Sequence, residues 1–238
     1  MNNPKVFLTA EWRKLALAQY AVDKEILSKY LPPHTELDDW DGKYYVSLVG
    51  FMFLDVKLLG FNIPFHTNFE EVNLRFYVKF KDDESWKRGV VFIKEFVPKP
   101  SITFIANTIY KENYQTFRMK HVWTEEENQL EVDYSWKNKN WHNFSVIAGS
   151  KAEEILIGSE EEFITEHYWG YTKIGTNRTS EYGVEHPRWQ SYPIKDYKIN
   201  VDFGINYGSD FAFLNQAKPD SVVLAEGSAI RVLKGKKF

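Results

Sequence analysis

The sequence predicts an α+β protein dominated by β-strands: a many-stranded, mostly antiparallel sheet curled into a barrel, with two or three short helices. Three observations predict it. Apolar and polar residues alternate with a period of two in segment after segment, as where Leu130, Val132, Tyr134 and Trp136 are set against Glu131, Asp133, Ser135 and Lys137. Aromatic residues make up 17% of the 238 positions, enough large rings to fill a wide interior or line a pocket. Helical periodicity is confined to a few short stretches, and no internal repeat or low-complexity linker divides the chain, so residues 1–238 read as one domain.

Taken in order, Leu15–Tyr20 is the first strand-like run. Asp23 to Tyr30 follows as a helix with Ile26, Leu27, Tyr30 and Leu31 on one side, stopped by Pro32 and Pro33. Asp41-Gly42 is a hairpin turn between Leu37 and Tyr44. In the next strand both alternating sets are mostly apolar: Tyr45, Ser47, Val49, Phe51 and Phe53 on one side, Val46, Leu48, Gly50, Met52 and Leu54 on the other. That predicts cover on both faces. Phe69–Val78 and Gly89–Val97 flank a polar turn over Lys81–Glu84. Further strands are expected at Ser101–Tyr110, Thr116–Trp123, Gln129–Lys137, Phe144–Ala148 and Tyr197–Phe203, with a loop from Thr124 to Asn128. Ser159-Glu-Glu-Glu162 spells a capping box for a helix carrying Phe163, Ile164, His167 and Tyr168. A last short helix near Asp210 to Gln216 precedes two closing strands, Val222–Ala225 and Ala229–Leu233, with Glu226-Gly227 as the turn between them.

Composition excludes several function classes. There is no cysteine, hence no disulfide framework, thiolate metal site or cysteine nucleophile. A net charge of −3 gives no electrostatic reason to expect nucleic acid or an anionic membrane as partner. The N-terminus lacks a basic region followed by a long apolar run, and Leu48 to Leu54 is too short to span a bilayer, so a cytoplasmic protein is expected. No glycine-rich phosphate loop or nucleophile elbow occurs, and the six histidines show no metal-site spacing, so neither cofactor nor metal is expected. His167 reads as a packing or capping residue.

The segment Phe69-Glu-Glu-Val-Asn-Leu-Arg-Phe-Tyr-Val78 is the exception to this blandness. In a strand, residues two apart share a face, so Glu71, Asn73, Arg75 and Tyr77 lie on one side and Val72, Leu74, Phe76 and Val78 on the other. Glu71 and Arg75 are roughly 13 Å apart along the strand, so each needs partners from other strands, Asn73, water or a ligand. An acid, an amide, a guanidinium and a phenol on one face suit a polar pocket, and equally the solvent face of an ordinary antiparallel strand.

The same run resembles the Glu-x-Asn-x-Arg-x-Tyr-Val signature of the YqjF-like family of uncharacterised bacterial proteins. Trp12-Arg13, Tyr20-Ala-Val22 with Leu31-Pro32, Asp41-Gly42 with its following strand, Gly89-Val-Val-Phe92, and Phe163 to Tyr171 followed by His186-Pro-Arg-Trp189 also fit, over nearly the whole chain. More remotely, that family is similar in fold to acetoacetate decarboxylase. The resemblance implies a cone-shaped β-barrel with the active site inside. It also implies that Arg13 falls near the decarboxylases' active-site arginine and Glu71 near their active-site glutamate. Those enzymes use a Schiff-base lysine; here Tyr114 falls at that place, and a tyrosine forms no imine.

Two expectations follow. One is a barrel that binds a small acidic or carbonyl-bearing molecule through Arg13, Asn73, Arg75 and Tyr77. The other is an enzyme without a covalent step, such as a hydrolase, lyase or isomerase, with Glu71 as acid or base and Tyr114 as proton donor or oxyanion stabiliser. Unpaired strand edges are compatible with a homodimer.

Overall fold

The computed structural model describes residues 5–83 and 85–238, and the side chains of Ile109 and Tyr110 are outside the description. The long strands are β1 (Val6–Val22), β2 (Tyr44–Leu58), β3 (Phe69–Asp82), β4 (Ser85–Val97), β5 (Arg118–Glu126), β6 (Gln129–Asn138), β7 (Asn140–Ala148), β8 (Trp169–Gly175), β9 (Arg178–Glu185), β10 (Ile194–Asn200) and β11 (Ser221–Leu233). Helices α1 (Lys24–Ser28), α2 (Pro100–Ile105), α3 (Glu160–Thr165) and α4 (Phe203–Tyr207) are joined by a π-helical turn, Ala106–Tyr110, and a 3-10 helix, Ser209–Gln216.

Among the described residues the strands form sheets of thirteen and four. In the larger sheet β11, β1, β2, β3 and β4 pair antiparallel in that order. β4 then pairs parallel with β8, which pairs with β9. β9 pairs back onto β11 through Val184 and Glu185, so the path closes on itself. The four-stranded sheet, ordered β10-β7-β6-β5, wraps the outside. Its Val132, Tyr134, Trp136, Phe144 and Val146 pack on Val72, Leu74, Phe76 and Val78 of β3 and on Val46 and Leu48 of β2, with Phe203, Tyr207 and Phe211 beside them. This outer layer explains why β2 is apolar on both faces, and it leaves the polar face of β3 pointing into the ring.

Several local expectations are corrected. Ser101–Tyr110 is helical, not a strand: Pro100 occupies the first turn of α2, where its missing N–H costs nothing, and Ile102 and Ala106, four apart, face one way. Glu226-Gly227 is not a hairpin turn; β11 runs straight through it. Gly227 takes φ +80°, and a Cβ there would meet the carbonyl oxygen of Trp12 at 2.0 Å, so glycine is required where β1 bulges at Lys14. The Tyr134 hydroxyl closes that bulge by donating to the Lys14 carbonyl at 2.8 Å.

The run near Tyr197–Phe203 is β10, which ends at Asn200, and Phe203 opens α4 with Asp202 as its cap. α1 is shorter than Asp23 to Tyr30. α3 begins at the Ser159 cap as expected, although Glu162 reaches back to the Gly158 amide, and it ends at Thr165, leaving His167 and Tyr168 beyond it. The Asp41-Gly42 turn is present with positive φ at both residues. Of the Lys81–Glu84 turn, Glu84 lies outside the described residues. No helix among the described residues is long and apolar enough to cross a membrane.

Candidate functional site

The ring encloses a cavity of about 300 Å³. Its wall is mostly apolar, with Leu8, Trp12, Phe53, Val56, Phe69, Val90, Phe92, Ile102 and Val232 among the lining. Glu71, Arg75, Glu95, Glu112, Tyr114, His167 and Tyr182 supply its chemistry. Ile63, Ser101 and Ile105 line it and are exposed, which marks the mouth between the end of β2 and α2.

Strand β3 carries Glu71, Asn73, Arg75 and Tyr77 on the inner face, as the period of two requires. Glu71, Asn73 and Tyr77 are buried and Arg75 is half-buried. Asn73 Nδ2 donates to Glu71 Oε1 at 3.0 Å, and the Tyr114 hydroxyl donates to Glu71 Oε2 at 3.2 Å. Tyr77 lies outside the lining and shares a hydrogen bond with Ser47 at 2.7 Å, with the Arg75 guanidinium over its ring. Arg75 donates to the Ile164 carbonyl at 3.4 Å, makes no ion pair among the described residues, and its buried Nε has no partner.

Arg13 does not join this cluster. Its guanidinium pairs with Glu11 at 2.7 Å and Glu226 at 3.3 Å, and it is not part of the cavity wall.

Tyr114 is positioned by backbone. A short strand, Tyr114–Thr116, pairs parallel with the end of β4, which sets Tyr114 beside Glu95. The Asn107 side chain clamps it, accepting from the Tyr114 amide at 2.7 Å and donating to its carbonyl at 2.9 Å.

Glu95 and Glu112 were not singled out from sequence. On β4, Val90 and Phe92 face the cavity, so strict alternation would turn Glu95 outward. A bulge between the pairs Leu74–Lys94 and Arg75–Phe92 resets the alternation, and the Asn113 side chain donates to the Ile93 carbonyl there at 2.9 Å. Lys94 then faces outward to the Asn206 carbonyl and Glu95 inward. Glu112 comes from the irregular stretch after the π-helical turn, where no period applies. Tyr182 occupies space that only Gly170 leaves: a Cβ on Gly170 would lie 2.3 Å from its ring.

Burial is the main cause that pushes the three carboxyls upward. Glu71 rises from 4.5 to about 7 against the opposing pull of Asn73, Tyr114 and Arg75. Glu112 also rises to about 7, with Glu71 adding repulsion and a bond to Tyr182 opposing. Glu95 is raised well above the usual carboxylate range, first by burial and then by the neighbouring Glu112 and Glu71. One oxygen each of Glu95 and Glu112 is enclosed without a hydrogen-bond partner. The wall therefore carries carboxyls that keep their protons to higher pH than ordinary carboxyls do, and a protonated carboxyl can donate as well as accept. His167 on the same cavity is pushed down to about 4, chiefly by burial, and is neutral.

No lysine lines the cavity among the described residues; Lys111 is exposed at the left-handed end of the π-helical turn. No group of three or more His, Asp or Glu among the described residues is arranged to hold a metal ion.

A ring of strands of this order around an internal cavity defines the acetoacetate decarboxylase-like fold. The acetoacetate decarboxylase of Legionella pneumophila superposes with a TM-score of 0.66 at 14% identity, over 100% of this chain and 90% of that one. The enduracididine biosynthesis enzyme MppR complexed with pyruvate gives 0.64 at 12% identity, over 100% and 91%. An acetoacetate decarboxylase-like enzyme from Sphingomonas wittichii RW1 gives 0.65 at 9%, over 98% and 94%. At these identities the likeness is one of fold. Residues 9–229 match the DUF2071 family, an uncharacterized conserved protein, and the chain belongs to that family. The uncharacterized protein YqjF of Bacillus subtilis (strain 168) is 27% identical over 183 residues, which is 75% of this chain and 72% of that protein.

Proposed function

We propose that the cavity binds a small molecule with an acidic or carbonyl-bearing head and an apolar body. The observation that carries this reading is Arg75: a guanidinium on an internal cavity wall, with no ion pair and an unpartnered Nε among the described residues. A carboxylate or carbonyl would satisfy it with charge-assisted hydrogen bonds. The apolar lining from Val90 and Phe92 to Ile102 and Val232 suits the rest of such a ligand. MppR, similar in fold, has been seen with pyruvate, which makes 2-oxo acids sensible first probes.

The test is calorimetric titration with pyruvate and with 4-methyl-2-oxopentanoate, which adds an apolar body. Wild-type protein is expected to bind the larger acid more tightly. Arg75→Met is expected to weaken both roughly 10- to 100-fold, the worth of a charged hydrogen bond of about 1.5–3 kcal/mol. Equal affinities in the two proteins would refute the reading.

A second reading is favoured by Glu71. A buried carboxyl near pH 7, in contact with a tyrosine hydroxyl, is poised to give or take a proton, as in an enzyme that uses no covalent step.

A further inference from the structure

The two segments that form the cavity mouth hold large apolar side chains out toward solvent. After β2 the chain folds back in a short pairing, Lys57 with Asn62 and Leu58 with Phe61, and then runs through Ile63-Pro-Phe65 toward β3. On the other side of the opening stand α2 and the π-helical turn. The His66 imidazole is hydrogen-bonded to the Ser101 hydroxyl, which ties the two segments together, and Ile63, His66, Ser101 and Ile105 all line the cavity.

Leu59, Phe61, Ile63 and Phe65 from the first segment and Phe104 and Ile105 from the second are exposed. Phe61, Phe65 and Phe104 are 73%, 87% and 70% exposed. At about 150–250 Å² per ring, these three alone present about 450 Å² to water. Leu59, Ile63 and Ile105 carry the patch past the roughly 300–600 Å² of the largest apolar patch on an ordinary monomer, a size that marks an interface. Phe65 takes φ +64°, a left-handed backbone rare for a bulky residue, and gains no burial from it.

Charge decides what the interface fits. Residues 57–68 and 98–111 contain Lys57, Lys99 and Lys111 and not one Asp or Glu, although acidic residues outnumber basic ones, 33 to 30, in the whole chain. None of these three ammonium groups pairs with a carboxylate among the described residues. Of the carboxylates that flank the segments in sequence, Glu70 is bonded to His121, and Glu95 and Glu112 turn into the cavity, which leaves Asp55 exposed. A second copy docked by two-fold symmetry would lay the same lysines against each other. An anionic lipid surface takes both features at once, with rings at the acyl boundary and ammonium groups among the phosphates. The cavity opens inside the patch, and Ile63 and Ile105 belong to both, so its apolar lining runs on into that surface.

We propose that the mouth face is a membrane-docking surface: Phe61, Phe65 and Phe104 enter the interfacial layer of an anionic bilayer, Lys57, Lys99 and Lys111 sit among its headgroups, and the cavity opens onto the lipid. The net charge of −3 gave no reason to expect this partner, because the basic excess is local. The contact is peripheral and does not depend on the ligand reading above.

The experiment is flotation of the protein with vesicles of phosphatidylcholine alone and of phosphatidylcholine containing about one quarter phosphatidylserine, at about 0.1 M salt. Wild-type protein is expected to bind the anionic vesicles at least about 10-fold more tightly than the neutral ones, and to be released at about 1 M salt. Lys57→Gln/Lys99→Gln/Lys111→Gln is expected to lose about 100-fold, about five-fold per lysine. Phe65→Ser/Phe104→Ser is expected to lose at least about 10-fold. Leu156→Ser/Ile157→Ser, an exposed apolar pair outside the two mouth segments, is expected to bind as wild type does. Phe65 and Phe104 do not line the cavity, so their variant is expected to keep the calorimetric affinity for 2-oxo acids, and the two readings fail separately.

No flotation of wild-type protein, equal binding to both vesicles, or undiminished binding by the phenylalanine variant overturns the proposal. So does a dimer in sedimentation velocity that Phe65→Ser/Phe104→Ser abolishes, without flotation, which would make the occupant a second copy. If the loss variants do not fold, Phe65→Trp decides: its added emission is expected to shift to the blue on anionic vesicles and to be quenched by brominated acyl chains, and an unshifted, unquenched signal refutes insertion.

Discussion

Replacing Glu71 by glutamine gives the most direct check on the carboxyl wall, because burial of this one group has a calculable consequence for stability. Below pH 4.5 Glu71 is protonated in both the folded and unfolded chains and contributes no pH dependence. Between 4.5 and about 7 the unfolded chain releases the proton that the folded chain retains, so folding stability falls as pH rises. At about 1.36 kcal/mol per pH unit, the interval is worth about 3 kcal/mol, and above about 7 the loss is constant.

Glu71→Gln removes this dependence. Its stability relative to wild type is expected to be about 3 kcal/mol more favourable at pH 8 than at pH 4.5, roughly 6–12 °C in Tm for a chain of this size. His167 acts in the opposite sense. Its neutral form is favoured on folding, so stability is lost as pH falls from 6.5 through about 4. That contribution is common to both proteins and cancels in the difference. Scanning calorimetry across this pH range is the assay. Parallel Tm-against-pH curves for the two proteins would show that Glu71 titrates as an ordinary carboxyl and would refute the argument.

Other perturbations test the frame and the chemistry. Pyruvate with borohydride is expected to leave no mass adduct, because no lysine lines the cavity among the described residues; an adduct mapped to the cavity would refute this. Gly227→Ala is expected to cost at least about 2 kcal/mol in urea denaturation, from the left-handed backbone and the clash with Trp12; a smaller loss would mean that the β1 bulge relaxes easily. Tyr134→Phe is expected to cost about 1–3 kcal/mol, since it strips the donor from the Lys14 carbonyl and the acceptor from the Trp123 indole; an unchanged urea midpoint would mean that neither bond contributes.

Much of the frame was legible in the alternation. The two-sided apolar pattern of β2 implied cover on both faces, and the outer sheet provides it on one side. The capping box at Ser159 and the Asp41-Gly42 turn are where their side-chain chemistry put them. The errors came where a local rule had two solutions. Ser101–Tyr110 has β-branched residues enough for a strand, but Pro100 and its packing onto the cavity mouth make it helical. Glu226-Gly227 reads as a turn because glycine permits positive φ, and a bulge beside a partner strand uses the same freedom.

The sequence by itself determined that Glu71, Asn73, Arg75 and Tyr77 share a face, because a strand's side-chain period is two and β3 pairs with β2 in unbroken register from Phe69 to Phe76. Only the tertiary structure decided that this face looks into a cavity, because either face of a strand is compatible with water until another layer covers one. Likewise only the fold brought Glu95, Glu112, Tyr182 and His167 to that cavity and took Arg13 away from it. A bulge resets alternation by one residue, and residues far apart in the chain meet only when the ring closes.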